Sequence, residues 1–135
     1  MIRTKIYLVF IVLLFIGCDS NETYFDYDTQ SLISCSDKGI RNVYISSESS
    51  LETYFIEWKS TKINALTNLN FRNIPKEYSI YKGFNDILIL NEGFKLSPLT
   101  SYKVERVQGD ASSYKIMIST NEKGEVVKSS KTFCN

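Results

Sequence analysis

Residues 101–133 read SYKVERVQGDASSYKIMISTNEKGEVVKSSKTF, and this stretch decides the fold class. Apolar and polar side chains alternate along it, which is typical of strands that bury one face. We predict strands at 101–108, 113–120 and 125–133, joined by turns at 109–112 and 121–124. Gly124 supplies a residue that adopts a left-handed conformation without strain. Three strands joined in series by short turns predict an antiparallel meander.

The chain upstream of this stretch also reads as short strands. Period-two patterning, aromatic and β-branched side chains, and Gly, Pro, Asn and Asp between the segments predict strands at 43–45, 51–58, 69–74, 78–81 and 87–90. Tyr54, Ile56 and Trp58 share one face, and we interpret Trp58 as a core residue rather than a ligand platform. The predicted fold is an all-β, small antiparallel β-sandwich of the immunoglobulin or fibronectin kind.

The N-terminus has the pattern of an export signal. Arg3 and Lys5 precede an apolar run at 6–16, whose eleven residues are fewer than the roughly 17–25 that a membrane-spanning helix needs. The sequence LFIGC at 14–18 resembles the lipobox of bacterial lipoproteins. The resemblance implies that residues 1–17 are a cleaved signal peptide and that Cys18 carries the lipid. The alternative is an ordinary signal or an uncleaved anchor.

The residues after Cys18 bear on the membrane and on the domain boundary. Asp19 resembles the signal that retains lipoproteins on the inner membrane of enteric-type bacteria, which implies the periplasmic face of that membrane; the outer membrane is the alternative. Residues 18–31 are acidic and lack apolar periodicity, so we predict a tether there and a folded domain at 32–135. Alternatively, the aromatic residues within 24–27 contact a partner or pack on the domain as an edge segment.

The cysteine count points to one disulfide. The chain has three cysteines, and lipidation of Cys18 leaves Cys35 and Cys134. An even pair in an exported chain favours a disulfide because the periplasm is oxidising. Closing a loop of about 100 residues stabilises a fold by about 4–5 kcal/mol in the chain-entropy treatment. Unpaired or intermolecular thiols are the alternative.

Composition excludes several classes of function. The chain has no histidine, which removes the commonest general base and the usual zinc ligand. Without the signal peptide, 14 basic side chains face 15 acidic ones, a balance that does not favour nucleic acid. We interpret the acidic pairs as solvated turn residues rather than catalytic or calcium-binding groups: Glu48 with Glu52, Asp86 with Glu92, and Asp26 with Asp28. We therefore expect a binding module, with no enzyme activity, cofactor or metal.

The domain also resembles a family of small immunity lipoproteins encoded beside type VI secretion genes. The resemblance begins at Cys35 and runs through RNVYIS (41–46), IPKEYSI (74–80), EGFKL (92–96), YKV (102–104), SYKI (113–116) and GEVV (124–127). It implies a membrane-anchored periplasmic protein whose partner is a toxin that it binds and blocks. A structural or assembly lipoprotein of an envelope complex or surface fibre, and a hydrolase that uses carboxylates, are the alternatives.

The partner-binding residues are expected within 73–86. Pro75 and Gly83 interrupt regular structure there, which predicts a long, irregular segment. Within it, we select the residues at and beside the turn as the contact site: Tyr81, Phe84, Asn85 and Asp86. The alternative is an ordinary connection whose aromatic side chains belong to the core.

The lipid anchor gives the first testable prediction. Replacing the acylated thiol, Cys18→Ser, should release a soluble form or leave an unprocessed precursor, because neither acylation nor cleavage can proceed normally. Fractionation and intact-mass measurement check this. Finding unmodified Cys18 in the membrane fraction of the wild type would contradict the anchor.

Overall fold

The computed structural model describes residues 22–106 and 114–135, which contain ten strands and one 3-10 turn. The strands are β1 Thr23–Asp26, β2 Ser31–Ser34, β3 Asn42–Ser47, β4 Thr53–Trp58, β5 Asn68–Asn70, β6 Tyr78–Lys82, β7 Ile87–Ile89, β8 Ser101–Glu105, β9 Lys115–Thr120 and β10 Val126–Ser129; the 3-10 turn is Asn91–Gly93. No helix among these residues is long and apolar enough to span a bilayer. The predicted turn at 109–112, Cys18 and Asp19 lie outside the described residues.

The strands form two antiparallel sheets, which confirms the predicted all-β sandwich. The small sheet has the order β1-β2-β5, and the large sheet has the order β10-β9-β8-β3-β4-β6-β7. Apolar side chains from both sheets make one core. An immunoglobulin domain divides its strands about equally between its sheets. The division here is three and seven, so the likeness lies in the architecture of two packed antiparallel sheets.

The alternation of buried and partly exposed residues fixes the register of the central strands. β4 has the burial pattern expected from its sequence, with Tyr54, Ile56 and Trp58 buried and the residues between them partly exposed. Ile56 lies opposite Val43 on β3 and Ile80 on β6, and all three are fully buried. A shift of one residue in register would turn this entire set to solvent, so burial fixes the pairing.

The predicted C-terminal meander is confirmed, with strands shorter than expected. β8 pairs with β9, and β9 pairs with β10. Ile116 and Ile118 face the core. Tyr114 precedes β9 and is partly buried against the core. Gly124 occupies the predicted left-handed position at φ +77°, and a Cβ there would lie 2.4 Å from the carbonyl oxygen of Leu96. Glycine is required at this turn.

The small sheet corrects the part of the predicted tether at 18–31 that the structure describes, from residue 22 onward. β1 lies inside that segment and β2 begins within it, and Thr23, Phe25 and Leu32 are almost completely buried. Two of the acidic residues that suggested a tether lie at the end of β1 and in the turn after it: Asp26 accepts hydrogen bonds from the Asp28 amide at 3.1 Å and from Thr29 Oγ1 at 2.9 Å. Four-residue strands are too short to give a clear periodic signal. The folded domain therefore begins before residue 32.

Strand β5 is also shorter than predicted. The pattern predicted a strand over 69–74, but β5 ends at Asn70. The Asn70 side chain accepts a hydrogen bond from the Arg72 amide at 2.8 Å, and its carbonyl accepts one from the Asn73 amide at 3.2 Å. These bonds form a turn that replaces the strand, which is a common use of asparagine. Phe71 and Ile74 are still buried, from a turn rather than a strand.

The disulfide between Cys35 and Cys134 is confirmed, with Cα atoms 5.8 Å apart. It joins the residue after β2 to the end of the chain. The same region is held by an ion pair between Glu22 and Lys131, and by a 3.0 Å hydrogen bond from the Asn135 amide to Glu22. The first strands of the domain and its last residues are therefore fastened to each other.

The Gln30 side chain connects the two sheets. Its amide oxygen accepts a 2.7 Å hydrogen bond from the Val126 N–H, and its amide nitrogen donates to the carbonyl oxygens of Val126 and Tyr27 at 2.9 Å each. Gln30 is only 5 % exposed, so water cannot replace these bonds easily. The Gln30 side chain thus donates to and accepts from the backbone of β10, as the peptide groups of a neighbouring strand would.

We predict that Gln30→Met lowers the free energy of unfolding by about 2–4 kcal/mol, because the buried N–H and C=O of Val126 lose their side-chain partner. Methionine keeps the length and the unbranched shape of glutamine. Chemical denaturation checks the value. As a control, exposed Asp28→Asn should change stability by less than about 0.5 kcal/mol. Equal effects of the two substitutions would show that the amide bonds contribute little.

Candidate protein-binding surface

The two edges of the large sheet differ. Strand β10 is covered by the β1–β2 hairpin: besides Gln30, the Tyr27 hydroxyl accepts a hydrogen bond from the Ser129 amide at 2.8 Å, and the Phe25 amide donates to Lys131 just beyond the strand at 3.1 Å. Strand β7, at the other edge, pairs with β6 alone among the described strands. Alternate N–H and C=O groups of such a strand point outward and can pair with another chain.

The open edge is apolar. Ile87, Leu88 and Leu90 are 61, 63 and 77 % exposed, respectively. Only Ile89, opposite buried Ile80, packs against the core. Edge strands of monomeric proteins usually carry charges, prolines or bulges that prevent pairing. The side chains of β7 provide no charge or proline, and the length of the strand, three residues, is what limits its pairing.

A tight turn presents a further aromatic ring beside this edge. β6 and β7 are joined through Gly83 and Asp86, which have φ values of 76° and 50°. The Asp86 amide donates to the Gly83 carbonyl at 3.3 Å, and the Gly83 amide donates to Thr53 on β4 at 3.0 Å. Phe84 stands at the tip and is 74 % exposed. The fold therefore fixes the turn while leaving the Phe84 ring in solvent.

An aromatic row continues from the edge across the outer face of the large sheet. Leu88 lies opposite Tyr81, Tyr81 opposite Phe55, and Phe55 opposite Tyr44. Ring centroids are 6.2 Å apart for Tyr81 and Phe55 and 4.8 Å apart for Phe55 and Tyr44. Cross-strand neighbours at such distances support one another's orientation.

Acidic side chains flank the row. Glu57 and Asp86 line a shallow depression of about 220 Å³ together with the three rings of the row. Lys59 lies 5.4 Å from the centre of the Tyr81 ring and forms a 3.0 Å ion pair with Glu57. We refer to the aromatic row, the Phe84 tip and the exposed edge residues Leu88 and Leu90 together as the β6–β7 surface, formed by Tyr44, Phe55, Tyr81, Phe84, Leu88 and Leu90. Exposed Ile87 is on the other face of the strand, opposite Lys82. It combines apolar area with polar groups at its margin.

The four residues selected from the sequence lie on this one hairpin. Tyr81 and Asp86 line the same depression, and Phe84 and Asn85 form the exposed tip. The strand predicted at 78–81 is confirmed as β6, Tyr78–Lys82, so the segment 73–86 is irregular only on either side of it. The exposure of the β7 edge was not predicted from the sequence. The run Ile-Leu-Ile-Leu at 87–90 is typical of a strand buried on both faces, so its exposure could not be inferred.

Glu52, a member of the first acidic pair, is held by neighbouring side chains. Glu52 accepts hydrogen bonds from the Tyr54 hydroxyl at 2.9 Å and from Ser97 Oγ at 2.8 Å. Burial, together with this contact to Glu52, raises the pKa of Tyr54. Asp86 lies in the turn before β7, and Glu92 lies in the 3-10 turn that follows it. Within 22–106 and 114–135, no three Cys, Asp or Glu side chains lie together in a way that could hold a metal ion.

Trp58 belongs to the core, as expected. Its indole N–H donates to the Ile63 carbonyl at 3.2 Å, and its ring meets Tyr78 edge to face at 4.8 Å. Tyr24, Phe25 and Tyr27, the other aromatic candidates, lie on or beside the small sheet. Exposed aromatic side chains occur on the β6–β7 surface, at Tyr44 and Phe84, and also at Tyr27 and Phe133.

No protein-family profile matches the chain, and no curated protein or solved structure is significantly similar to it.

If the β6–β7 surface serves binding rather than folding, substitutions of its residues should leave the stability of the fold nearly unchanged. We predict that Leu88→Lys changes the free energy of unfolding by less than about 1 kcal/mol, since only the cross-strand contact with Tyr81 is altered. The matched core change on the neighbouring strand, Ile80→Ala, should cost about 2–5 kcal/mol. Thermal and urea unfolding check both values. A loss for Leu88→Lys as large as that for Ile80→Ala would mean that the fold depends on this edge.

Proposed function

We propose that the protein is a lipid-anchored periplasmic binding module that neutralises a toxin by occupying it through the β6–β7 surface. The observation that carries the proposal is the unpaired, apolar β7 edge beside an exposed aromatic tip. Exposed apolar area of this kind marks interaction sites in soluble domains. The toxin as partner, and type VI secretion as its source, come from the sequence resemblance.

The surface suits recognition of a protein. A strand of the partner that pairs with β7 would satisfy the outward backbone groups, and its side chains would meet Leu88 and the aromatic row. Aromatic side chains often carry most of the binding energy at protein interfaces. Phe84 and Leu90 would bury their exposed side chains at the two ends of this contact. Inhibition of this kind needs no catalytic group, which agrees with a chain that lacks histidine.

The position of the surface fits a membrane anchor. The described chain begins at Glu22, whose partner Lys131 follows β10. The surface lies at the opposite edge of the seven-stranded sheet. With strands about 4.8 Å apart, the two edges are separated by roughly 30 Å. A lipid on Cys18, only a few residues before Glu22, would then hold the β10 edge near the membrane and leave β7 pointing away from it.

The β7 edge also favours a second candidate, a structural or assembly lipoprotein. An unpaired strand can receive a strand from the next subunit of an envelope complex or surface fibre by the same backbone pairing. The two candidates share the surface and differ in the partner. Stable co-purification with envelope subunits, rather than with one toxin, would favour assembly.

A deletion and complementation experiment tests the proposed function. Deleting the gene should sensitise cells to the product of a neighbouring toxin gene directed to the periplasm, and the wild-type gene should restore survival. Leu88→Lys should fail to restore it, because a charge in the middle of the edge prevents docking while the fold persists. Val127→Lys is the matched control, since Val127 is an exposed apolar residue on β10, the other edge strand.

Immunoblots of membrane fractions should show equal amounts of each variant. Survival that does not change on deletion, under toxin expression in the periplasm, would rule out the immunity function. Full protection by Leu88→Lys would instead rule out the β6–β7 surface as the contact.

A further inference from the structure

A pocket opens at the end of the sandwich where the β1–β2 turn meets the β9–β10 turn. Its volume is about 190 Å³. Its floor consists of side chains that belong to the core and are less than a tenth exposed: Phe71, Phe94, Leu96 and Val126. A cavity of about 150 Å³ with an apolar lining of this kind holds a benzene molecule. The pocket therefore offers both the room and the surface for a group of the size of a phenyl ring.

The rim of the pocket is basic. Arg72, Lys95 and Lys123 line it, and the acidic side chain there is that of Glu125. Arg72 forms a 3.5 Å ion pair with Glu125. Among the described residues, Lys95 and Lys123 have no ion-pair partner. Net positive charge beside an apolar floor complements a ligand in which an apolar group carries an anion.

Asparagine side chains hold the backbone of the rim. The Asn121 side-chain oxygen accepts hydrogen bonds from the amides of Lys123 and Glu125 at 2.9 and 3.0 Å. The Asn70 side-chain oxygen accepts one from the Arg72 amide at 2.8 Å. Both turns are therefore in place before any ligand arrives, and this lowers the cost of binding.

The aromatic rings of the floor are fixed by their neighbours. Phe71 and Phe94 meet edge to face with ring centroids 5.7 Å apart. Phe94 meets Tyr54 in the same way at 5.0 Å, and Phe71 meets Phe25 at 5.3 Å. Contacts of this geometry are favourable beyond the area that they bury. The floor is thus a rigid apolar surface rather than a mobile one.

The pocket is remote from the other features of the domain. It lies at the start of β10, at the opposite edge of the large sheet from β7, and is separate from the β6–β7 surface. The described segments end at Glu22, Arg106 and Tyr114, which lie at the far ends of β1, β8 and β9 from the turns that form the pocket. The floor and the rim are thus formed by described residues.

We propose that this pocket, which we call the Phe94 pocket, binds a small apolar carboxylate. The apolar group lies on the floor, where its burial removes apolar area of both partners from water. The carboxylate lies at the rim. Lys95 and Lys123 are exposed there, and their flexible side chains can bring an ammonium group to it. The proposal does not depend on the proposed toxin, because the pocket shares no residue with the β6–β7 surface.

The experiment titrates the full-length chain, in a non-ionic detergent and at constant ionic strength, with three probes. Sodium phenylacetate has both groups, phenylacetamide lacks the charge, and sodium acetate lacks the ring. A ligand that binds only the folded state raises Tm in a saturable way. We expect this for phenylacetate. Phenylacetamide should bind at least about twofold more weakly, and acetate at least about tenfold more weakly.

Substitutions on the rim locate the binding. Lys95→Gln and Lys123→Gln should each weaken phenylacetate binding by about two- to fivefold, as expected for exposed charges. Glu125→Gln should strengthen it by a similar factor, because the change removes a negative charge from the rim and releases Arg72 from its ion pair. Lys62→Gln is the matched control, since Lys62 is exposed and lies outside the pocket, and it should leave the affinity unchanged.

Two results would overturn the proposal. One is a Tm that does not rise saturably with phenylacetate, or that rises equally with acetate. The other is a phenylacetate affinity that stays the same in the three rim variants, which would place binding elsewhere. None of the substituted side chains is buried, so the variants should fold. An increase in affinity for Glu125→Gln, moreover, is not a result that partial unfolding could produce.

Discussion

The architecture depends on the hydrogen bonds between the Gln30 side-chain amide and β10, the edge strand of the large sheet. Gln30 offers Val126 the donor and acceptor that a further strand would offer, so the sheet stops at β10 without leaving buried backbone groups unpaired. The turn that carries Gln30 also joins β1 to β2, and this places the small sheet over the core. The disulfide and the contacts of Glu22 then close the same side of the domain. One edge is thus completed from within the chain, and the other is open.

The strands that could be predicted from the sequence are those in which buried and exposed residues alternate. The alternating sequence was enough to place Tyr54, Ile56 and Trp58 on one face of a strand. Glycine at position 124 was enough to predict a left-handed backbone conformation in that turn. β1 and β2 could not be inferred, because two four-residue strands around an acidic turn look like a polar linker. Their burial comes from packing beneath the large sheet, which is a long-range effect. Local composition therefore underestimated the extent of the domain.

The candidate site was predictable only at its turn. Gly83 and the residues after it indicated a hairpin, and exposure of Phe84 follows from its place at the tip. The aromatic row requires the register that sets Tyr81 beside Phe55, and register becomes visible only once the strands are paired.

The open β7 edge has a consequence for how copies of the protein can meet. Two such edges from freely diffusing molecules could pair antiparallel by a simple two-fold rotation, and this is the usual route to unwanted association. If the proposed anchor holds the β10 side towards the bilayer, every β7 edge points away from the same membrane. Pairing two of them would then require one molecule to be inverted. Attachment to a common surface would thereby forbid self-association while leaving each edge accessible to a partner arriving from the periplasm.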